Sequence, residues 1–306
     1  MSEENKDEFS VIMPEEGVIK ETLQQKYSAD KFDFEQRPAS QSSLKNILVS
    51  PLHFAYYRFN KKIPTKQMMF GNVVDSMLFT PDKFKKDYVI KPKFKGTGSK
   101  AKTEEWEKEN AGRKYLTNVE QYIAETIVEN IKTNPKTAWL YEATIDVQKK
   151  IVWTDPKTGI KCIAYLDAIS EIERGEKKVS IIWDLKTTID ASKQEYPRHA
   201  ANMDYPLQAG TYVTGFVMDQ RIKKREEILY PEFYQIVAET KDALAVNTFR
   251  ATNDFVNFGK DQFRKAMDIV KYCKENDLFW MGYEFMDMLG CDELDIPGWM
   301  KQQHGL

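Results

Sequence analysis

Three polar residues that close two apolar segments in the middle of the chain are the most chemically informative feature of the sequence. Asp167 follows residues 163–166, and Asp184 and Lys186 follow residues 181–183. Both segments are short and rich in β-branched or aromatic residues, which predicts two strands. Side chains alternate along a strand, so Asp184 and Lys186 share one face. Pairing of the two strands as a hairpin would place Asp167 beside them.

This combination of side chains favours metal-dependent hydrolysis of phosphodiesters. Two carboxylates offer hard oxygen ligands to Mg²⁺, and a lysine stabilises charge on the attacked phosphate or on the attacking water. An isolated Asp-Xaa-Lys triplet is most often a solvated strand edge in a chain with 30% charged residues. Here both carboxylates follow apolar residues, and a buried carboxylate is costly unless it is paired or binds a cation. The sequence therefore favours a functional site.

A third carboxylate stands within a mostly apolar helix predicted over residues 68–79. Apolar residues lie one and two positions before Asp75 and two and three positions after it, which leaves little polar face. A buried carboxylate here needs a partner, and a cation shared with Asp167 and Asp184 would supply one.

Basic residues are concentrated between positions 83 and 102, where eight lysines accompany the single acidic residue Asp87. The Gly- and Pro-containing centre predicts a flexible loop suited to gripping phosphates, although a solvated surface loop would have the same composition. A helix predicted from Pro206 to Met218 carries Gln208 and Tyr212 one turn apart. The candidate DNA-binding residues are Lys93, Lys95, Lys100, Lys102, Tyr205 and Tyr212.

Length and composition predict one α/β domain with a substantial core. The 306 residues are 42% hydrophobic and 12% aromatic, with a net charge of −2 that does not argue against local basic surfaces. No segment approaches the roughly 20 apolar residues of a membrane span, and the N-terminal sequence lacks a signal-peptide pattern. The three cysteines are far apart, which favours free thiols in a reducing compartment. We therefore expect a cytoplasmic protein that does not bind membranes.

The order of elements is predicted to be helices, then strands, then helices. Residues 1–35 are polar and are expected to form a flexible lead-in to a single domain over 36–306. The tail over 294–300 is predicted to be irregular and to dock on the body. The predicted strands cover 142–153, 160–169 and 179–187, with possible additions at 233–238 and 243–249, and further helices are predicted from Ser42-Ser43, over 52–57, 104–110, 119–132 and 255–276.

The order of these features resembles the PD-(D/E)xK nuclease superfamily. More narrowly, it resembles the exonuclease VIII (RecE) type of recombination exonuclease of phages and prophages, over about residues 42–300. The resemblance implies a restriction-endonuclease-like α/β core with a central mixed sheet flanked by helices. The motifs that carry it are Ser-Ser-Leu at 42–44, Phe-Gly-x-x-x-Asp at 70–75, the basic Gly/Lys loop at 96–102, Trp-Thr-Asp-Pro-Lys-Thr-Gly at 153–159, Asp167 with Asp184-x-Lys186, Tyr205 with Gln208 and Tyr212, and Ile-Pro-x-Trp at 296–299.

The resemblance also implies a role for each residue of the site. Lys186 would orient or activate the water and stabilise the pentavalent phosphate, and Gln208 would support the site or contact the DNA backbone. Family members normally carry His where this chain has Asp75, and Asp is a competent, harder ligand for Mg²⁺ or Mn²⁺. Glu142, predicted on the first strand, is expected to be structural. The implied metal ligands are Asp75, Asp167, Asp184 and the backbone carbonyl of Leu185.

The implied activity is degradation of one strand of linear duplex DNA from its 5′ end. Enzymes of this type form rings around DNA and act with a RecT-type single-strand annealing partner in recombination. The chain lacks the four cysteines of the iron–sulfur branch of the superfamily. Three alternatives stay open: a DNA-binding protein on a decayed nuclease fold, an endonuclease of the same superfamily, and an α/β protein whose charged strand ends are structural.

Overall fold

The secondary structure follows from a computed structural model that describes residues 21–60, 62–223, 231–286, 295–296 and 298–304. The strands are β1 (Ala39–Ser40), β2 (Tyr88–Ile90), β3 (Lys114–Leu116), β4 (Thr144–Thr154), β5 (Lys161–Arg174), β6 (Lys177–Thr188), β7 (Glu232–Glu239) and β8 (Val246–Arg250). The helices are α1 (Leu23–Lys26), α2 (Gln41–Ile47), α3 (Pro51–Phe59), α4 (Lys66–Phe79), α5 (Pro81–Asp87), α6 (Ser99–Glu109), α7 (Asn118–Thr133), α8 (Ala138–Glu142), α9 (Tyr196–Asn202), α10 (Tyr205–Ile222), α11 (Asn253–Asn276) and α12 (Gly298–His304).

A mixed sheet with the order β1-β5-β6-β7-β8 forms the centre of the fold, and β4 pairs with the other edge of β5. The β4–β5, β5–β6 and β7–β8 pairs are antiparallel, whereas β1–β5 and β6–β7 are parallel. The predicted restriction-endonuclease-like architecture is confirmed, and so are the two strands expected after residue 230.

The sheet divides at the point where the candidate carboxylates stand. Pairing between β5 and β6 runs from the tight turn at Gly175 to Ala168 opposite Trp183 and stops there. Farther along β5, β1 takes the place of β6 as the neighbouring strand. Asp167 and Asp184 are the next residues after the last pair, so both lie at the fork between diverging strands.

Helices cover both faces of the sheet and fix the position of α10. One buried cluster joins sheet residues such as Ile182 to α2, α3, α10 and α11, and the other joins Trp183 to α4 and α7. Helices α10 and α11 cross in backbone contact, since a Cβ on Gly259 would lie 1.7 Å from the carbonyl oxygen of Pro206. This crossing holds the start of α10 against the sheet beside the fork.

The lead-in prediction is wrong for residues 21–35. Tyr27, Phe32 and Phe34 are buried in the core that also contains α2 and α3, and Phe32 stacks on Phe279 with ring centroids 3.9 Å apart. The hydrophobic gain from three aromatic side chains outweighs the polar composition around them. Residues 1–20 lie outside the described part of the chain.

Four local predictions also need correction. Helix α2 begins after Ser40, whose hydroxyl accepts from the backbone N–H of Ser43, so Ser42-Ser43 is inside the first turn. Glu142 ends α8 and is not on a strand. Lys100 and Lys102 belong to α6, which begins after Gly98. Residues 298–304 are helical and Trp299 is exposed, whereas residues 294 and 297 lie outside the described residues.

Cys162 and Cys273 are buried free thiols, and Cys291 lies outside the described residues. Within the described ranges, no helix has both the length and the apolar character needed to cross a membrane.

Candidate active site

Asp184 is the central buried residue of the site. Its side chain is 2% exposed and lies on β6 immediately after the fork. Gln208 on α10 donates a hydrogen bond from Nε2 to Asp184 Oδ1 at 2.8 Å. Asp184 Oδ2 forms an ion pair with Lys186 Nζ but accepts no well-directed hydrogen bond. One carboxylate oxygen is therefore fixed by the Gln208 amide, and the other contacts the lysine cation.

Asp167 lies beside Asp184, as the hairpin prediction required. Its Oδ2 accepts a hydrogen bond from the backbone N–H of Leu185 at 2.9 Å. Burial and the negative charge of Asp184 raise the pKa of Asp167 well above its usual range, and the charge of Lys186 offsets only part of this effect. The two carboxylates thus repel each other in a site that would favour an added cation.

Asp75 approaches the same fork from α4. Burial raises its pKa to about 6, the hydrogen bond from Gln148 opposes this rise, and the charge of Asp184 adds to it. Gln148 Nε2 lies 3.0 and 3.2 Å from the two oxygens of the Asp75 carboxylate. The structure therefore brings together the three acidic residues that the sequence singled out.

Gln148 is the residue that sequence reasoning missed. It is an exposed residue of β4 between other exposed or half-buried positions, so no hydrophobic pattern distinguishes it. Its φ of 51° is in the left-handed region, which a non-glycine residue rarely adopts inside a strand. A long-range contact and a backbone outlier leave no signal in local sequence.

Lys186 keeps its positive charge in this environment. Its side chain is 16% exposed, and its Nζ lies 4.7 Å from the centre of the Tyr205 ring. Burial favours the neutral amine, but the charges of Asp184 and Asp167 outweigh burial and raise the pKa of Lys186 above its usual range. The ammonium is therefore available to stabilise negative charge on a bound phosphate.

Tyrosines and a second buried amide line the α9–α10 side of the site. Burial raises the pKa of Tyr205 and of Tyr212, so both phenols stay neutral at physiological pH. Gln235 pairs in register with Asp184 across β6 and β7, and its Oε1 accepts a hydrogen bond from the Tyr196 hydroxyl at 3.0 Å. These neutral groups surround Asp184 without adding charge.

The predicted DNA-binding lysines are divided between two elements. Lys93 and Lys95 precede α6, and Lys100 and Lys102 lie on it. Among the described residues, no hydrogen bond or ion pair joins these four lysines to the three carboxylates. The charge of Lys186 and, to a smaller extent, that of Lys83 at the start of the same basic stretch lower the pKa of Asp75.

The three carboxylates of the site are suitable ligands for a divalent cation, although each of them contacts a hydrogen-bond donor or a lysine of the protein. Within the described ranges, no group of three or more His, Cys, Asp or Glu residues is arranged to hold a metal ion as it stands. Each carboxylate instead contacts a protein donor: Lys186, the Leu185 N–H or Gln148. The ammonium of Lys186 pairs with only one of the three carboxylates, and Asp184 Oδ2 lacks a directed hydrogen bond. Hard oxygen ligands with uncompensated negative charge suit Mg²⁺ or Mn²⁺.

Comparisons with known proteins show the fold and the family of this chain. A crystal structure of a protein named "putative exonuclease" from Eubacterium rectale superposes with a TM-score of 0.50 and 12% identity, covering 90% of this chain and 97% of that one, which shows a shared fold. A second structure, titled SSO0001, superposes with a TM-score of only 0.24 at 11% identity, over 74% of this chain and 83% of its own. No curated protein matches the sequence significantly. The family model described as a PDDEXK-like domain of unknown function (DUF3799) matches residues 40–282, so the chain belongs to this family and to the PD-(D/E)xK nuclease superfamily.

Proposed function

We propose that this nuclease-fold protein is a metal-dependent exonuclease that hydrolyses one strand of linear double-stranded DNA. The observation that carries the proposal is the ion pair of Lys186 with the buried Asp184, beside the half-buried Asp167, at the fork of the sheet. If the Asp184–Lys186 ion pair had only a structural role, it would not need Asp167 beside it, a second carboxylate whose pKa is raised by this position.

Each side chain has a separate task in this proposal. Asp184 and Asp167, with Asp75 and the backbone carbonyl of Leu185, would hold the cation. A bound Mg²⁺ or Mn²⁺ supplies Lewis-acid polarisation of the phosphate and lowers the pKa of a bound water. Gln208 restrains Asp184 by its hydrogen bond to Oδ1.

Lys186 would act as an electrostatic stabiliser. Because neighbouring carboxylates raise its pKa, it remains an ammonium and is a poor general base at neutral pH. Its charge would stabilise the additional negative charge on the pentavalent phosphate. Its contact with the Tyr205 ring restricts the side chain to the side of the site formed by α10.

Action on DNA ends, with 5′→3′ polarity, is the finer part of the proposal. It is supported by the collinear motifs of the exonuclease VIII (RecE) type and by the name of the E. rectale protein of similar fold. By the same resemblance we propose a homo-oligomeric ring in the cytoplasm that supplies single-stranded tails to a RecT-type annealing protein. The basic residues Lys93, Lys95, Lys100 and Lys102, with Tyr205 and Tyr212, remain the proposed DNA contacts.

The experiment compares linear duplex labelled at the 5′ or the 3′ end with covalently closed circular DNA, in Mg²⁺, Mn²⁺ or EDTA. We expect metal-dependent loss of linear DNA alone, with early release of the 5′ label. Cutting of the closed circle would support an endonuclease instead. Binding of both DNAs without cleavage in either metal would support a decayed nuclease fold.

A further inference from the structure

The backbone of β4 departs from regular strand geometry at one residue opposite the site. The ladder pairs Val147 with Ala168 and Lys149 with Leu166, which leaves Gln148 opposite Asp167. Gln148 has a φ of 51°, a conformation that Gly adopts freely and that is strained for other residues. Such outliers persist where the surrounding structure enforces them, and they cluster at functional sites.

Core packing does not account for this strain. The Gln148 side chain is exposed, so it gains little from burial. Its amide donates instead to both oxygens of Asp75, which is 73 residues away in sequence and on the opposing helix α4. Among the described residues, no other side chain donates a hydrogen bond to this carboxylate. Gln148 therefore sets the orientation of the Asp75 carboxylate.

Asp167, which lies opposite Gln148, is also at an irregular point of its strand. Leu166 packs in the core with α10 and α11, whereas Ala168 packs in the core with α4 and α7. Residues two apart on a regular strand share a face, but Leu166 and Ala168 pack on opposite sides of the sheet. Asp167 and Gln148 therefore lie opposite each other at the point where β4 and β5 depart from regular alternation. From this position the Gln148 side chain reaches α4.

We propose that Gln148 is a positioning residue that holds Asp75 in the orientation needed to share a divalent cation with Asp167 and Asp184. The proposal rests on the proposed function, since it assumes that the three carboxylates bind the metal. A neutral amide suits this task because it restrains a carboxylate without neutralising it, as donors to metal-binding carboxylates commonly do.

The test measures binding of Mn²⁺ alone to the full chain by electron paramagnetic resonance of the free ion, beside urea unfolding in EDTA. The variants are Gln148→Ala, which removes the amide, and Gln148→Gly, which removes the amide and also relieves the strained φ. The matched control is Gln121→Ala, because Gln121 is a partly exposed glutamine whose amide donates to a carboxylate, that of Glu125, at 2.7 Å on α7. We expect both Gln148 variants to bind Mn²⁺ about 10- to 100-fold more weakly and the control to bind as the wild type does.

Stability separates positioning from a structural role. Gln148→Gly should be at least as stable in EDTA as the wild type, since Gly accepts this φ without strain, while its Mn²⁺ affinity falls. Loss of both stability and affinity in Gln148→Gly would overturn the proposal, and so would wild-type affinity in both variants. A wild-type protein that binds no Mn²⁺ would instead overturn the proposed function itself and this inference with it.

Discussion

Replacement of Asp75 by Asn should stabilise the metal-free protein in a pH-dependent way. The pKa of Asp75 is raised from 3.8 to about 6, mainly by burial. A tenfold change in proton affinity corresponds to about 1.4 kcal/mol, so ionising this carboxyl in the folded state costs on the order of 3 kcal/mol more than in the unfolded chain. Partial exposure and relaxation around the carboxylate reduce this cost, and we expect about 2 kcal/mol.

The sign follows from proton linkage. The folded protein holds the Asp75 proton more tightly than the unfolded chain does, so this group stabilises the fold below about pH 4. That contribution is lost as the pH rises through about 6. Asp75→Asn does not titrate, so its stability relative to the wild type should increase by about 1 kcal/mol between pH 4.5 and pH 8, because the carboxyl of the unfolded chain is already largely ionised at pH 4.5. Because Asp75 also raises the pKa of Asp167, its removal adds to the change in the same direction.

The assay is urea unfolding in EDTA at the two pH values, followed by tryptophan fluorescence. Asp261→Asn, at an exposed position of α11, is the control for the loss of a surface carboxylate. In Mg²⁺ at pH 8 the wild type should be stabilised more than Asp75→Asn, because the metal binds the folded state through this carboxylate. If Asp75→Asn changes the free energy of unfolding equally at pH 4.5 and pH 8, the reasoning is refuted, because Asp75 is then not in a desolvated site.

Three further outcomes are expected. Gln208→Ala removes the hydrogen bond to Asp184 Oδ1 and should lower nuclease activity about 10- to 100-fold, measured on linear duplex. Gly259→Ala places a methyl group against the Pro206 carbonyl at the α10–α11 crossing and should destabilise the fold by about 3 kcal/mol or more, measured by urea unfolding. Lys93→Glu reverses the charge of an exposed residue among the proposed DNA contacts, and it should weaken DNA binding and reduce the slope of log affinity against log salt by about 1 or more. If the slope of log affinity against log salt does not change, the DNA does not contact this residue.

The parts of the site that sequence could predict depend on local periodicity. Strand alternation places Asp184 and Lys186 on one face, and hairpin pairing brings Asp167 to them, because both rules act over a few residues. Helical spacing likewise puts Gln208 on a face that meets the sheet. The position of the fork depends on β1 replacing β6 beside β5, a pairing between segments more than 100 residues apart.

The errors have similar physical causes. Phe32 and Phe34 are scattered among polar residues, so their burial is visible only once the surface that covers them has formed. The sequence favours a loop at Lys100 and Lys102 because Gly96 and Gly98 break regular structure. Gly98 has a φ of 82° and directly precedes the first turn of α6, so it ends the loop and does not interrupt the helix.

The most direct test of the central claim is digestion of 5′-labelled linear duplex in Mg²⁺ by wild type, Lys186→Ala and Lys178→Ala. Lys178 is the matched control because it lies on the same strand and forms an exposed ion pair with Glu171 at 2.9 Å. Circular dichroism would establish that Lys186→Ala is folded, since removing one partner of a buried pair costs about 3–5 kcal/mol. We predict that wild type and Lys178→Ala release label at similar rates, and that Lys186→Ala is slower by about 100-fold or more. Digestion by folded Lys186→Ala at the wild-type rate would contradict the account.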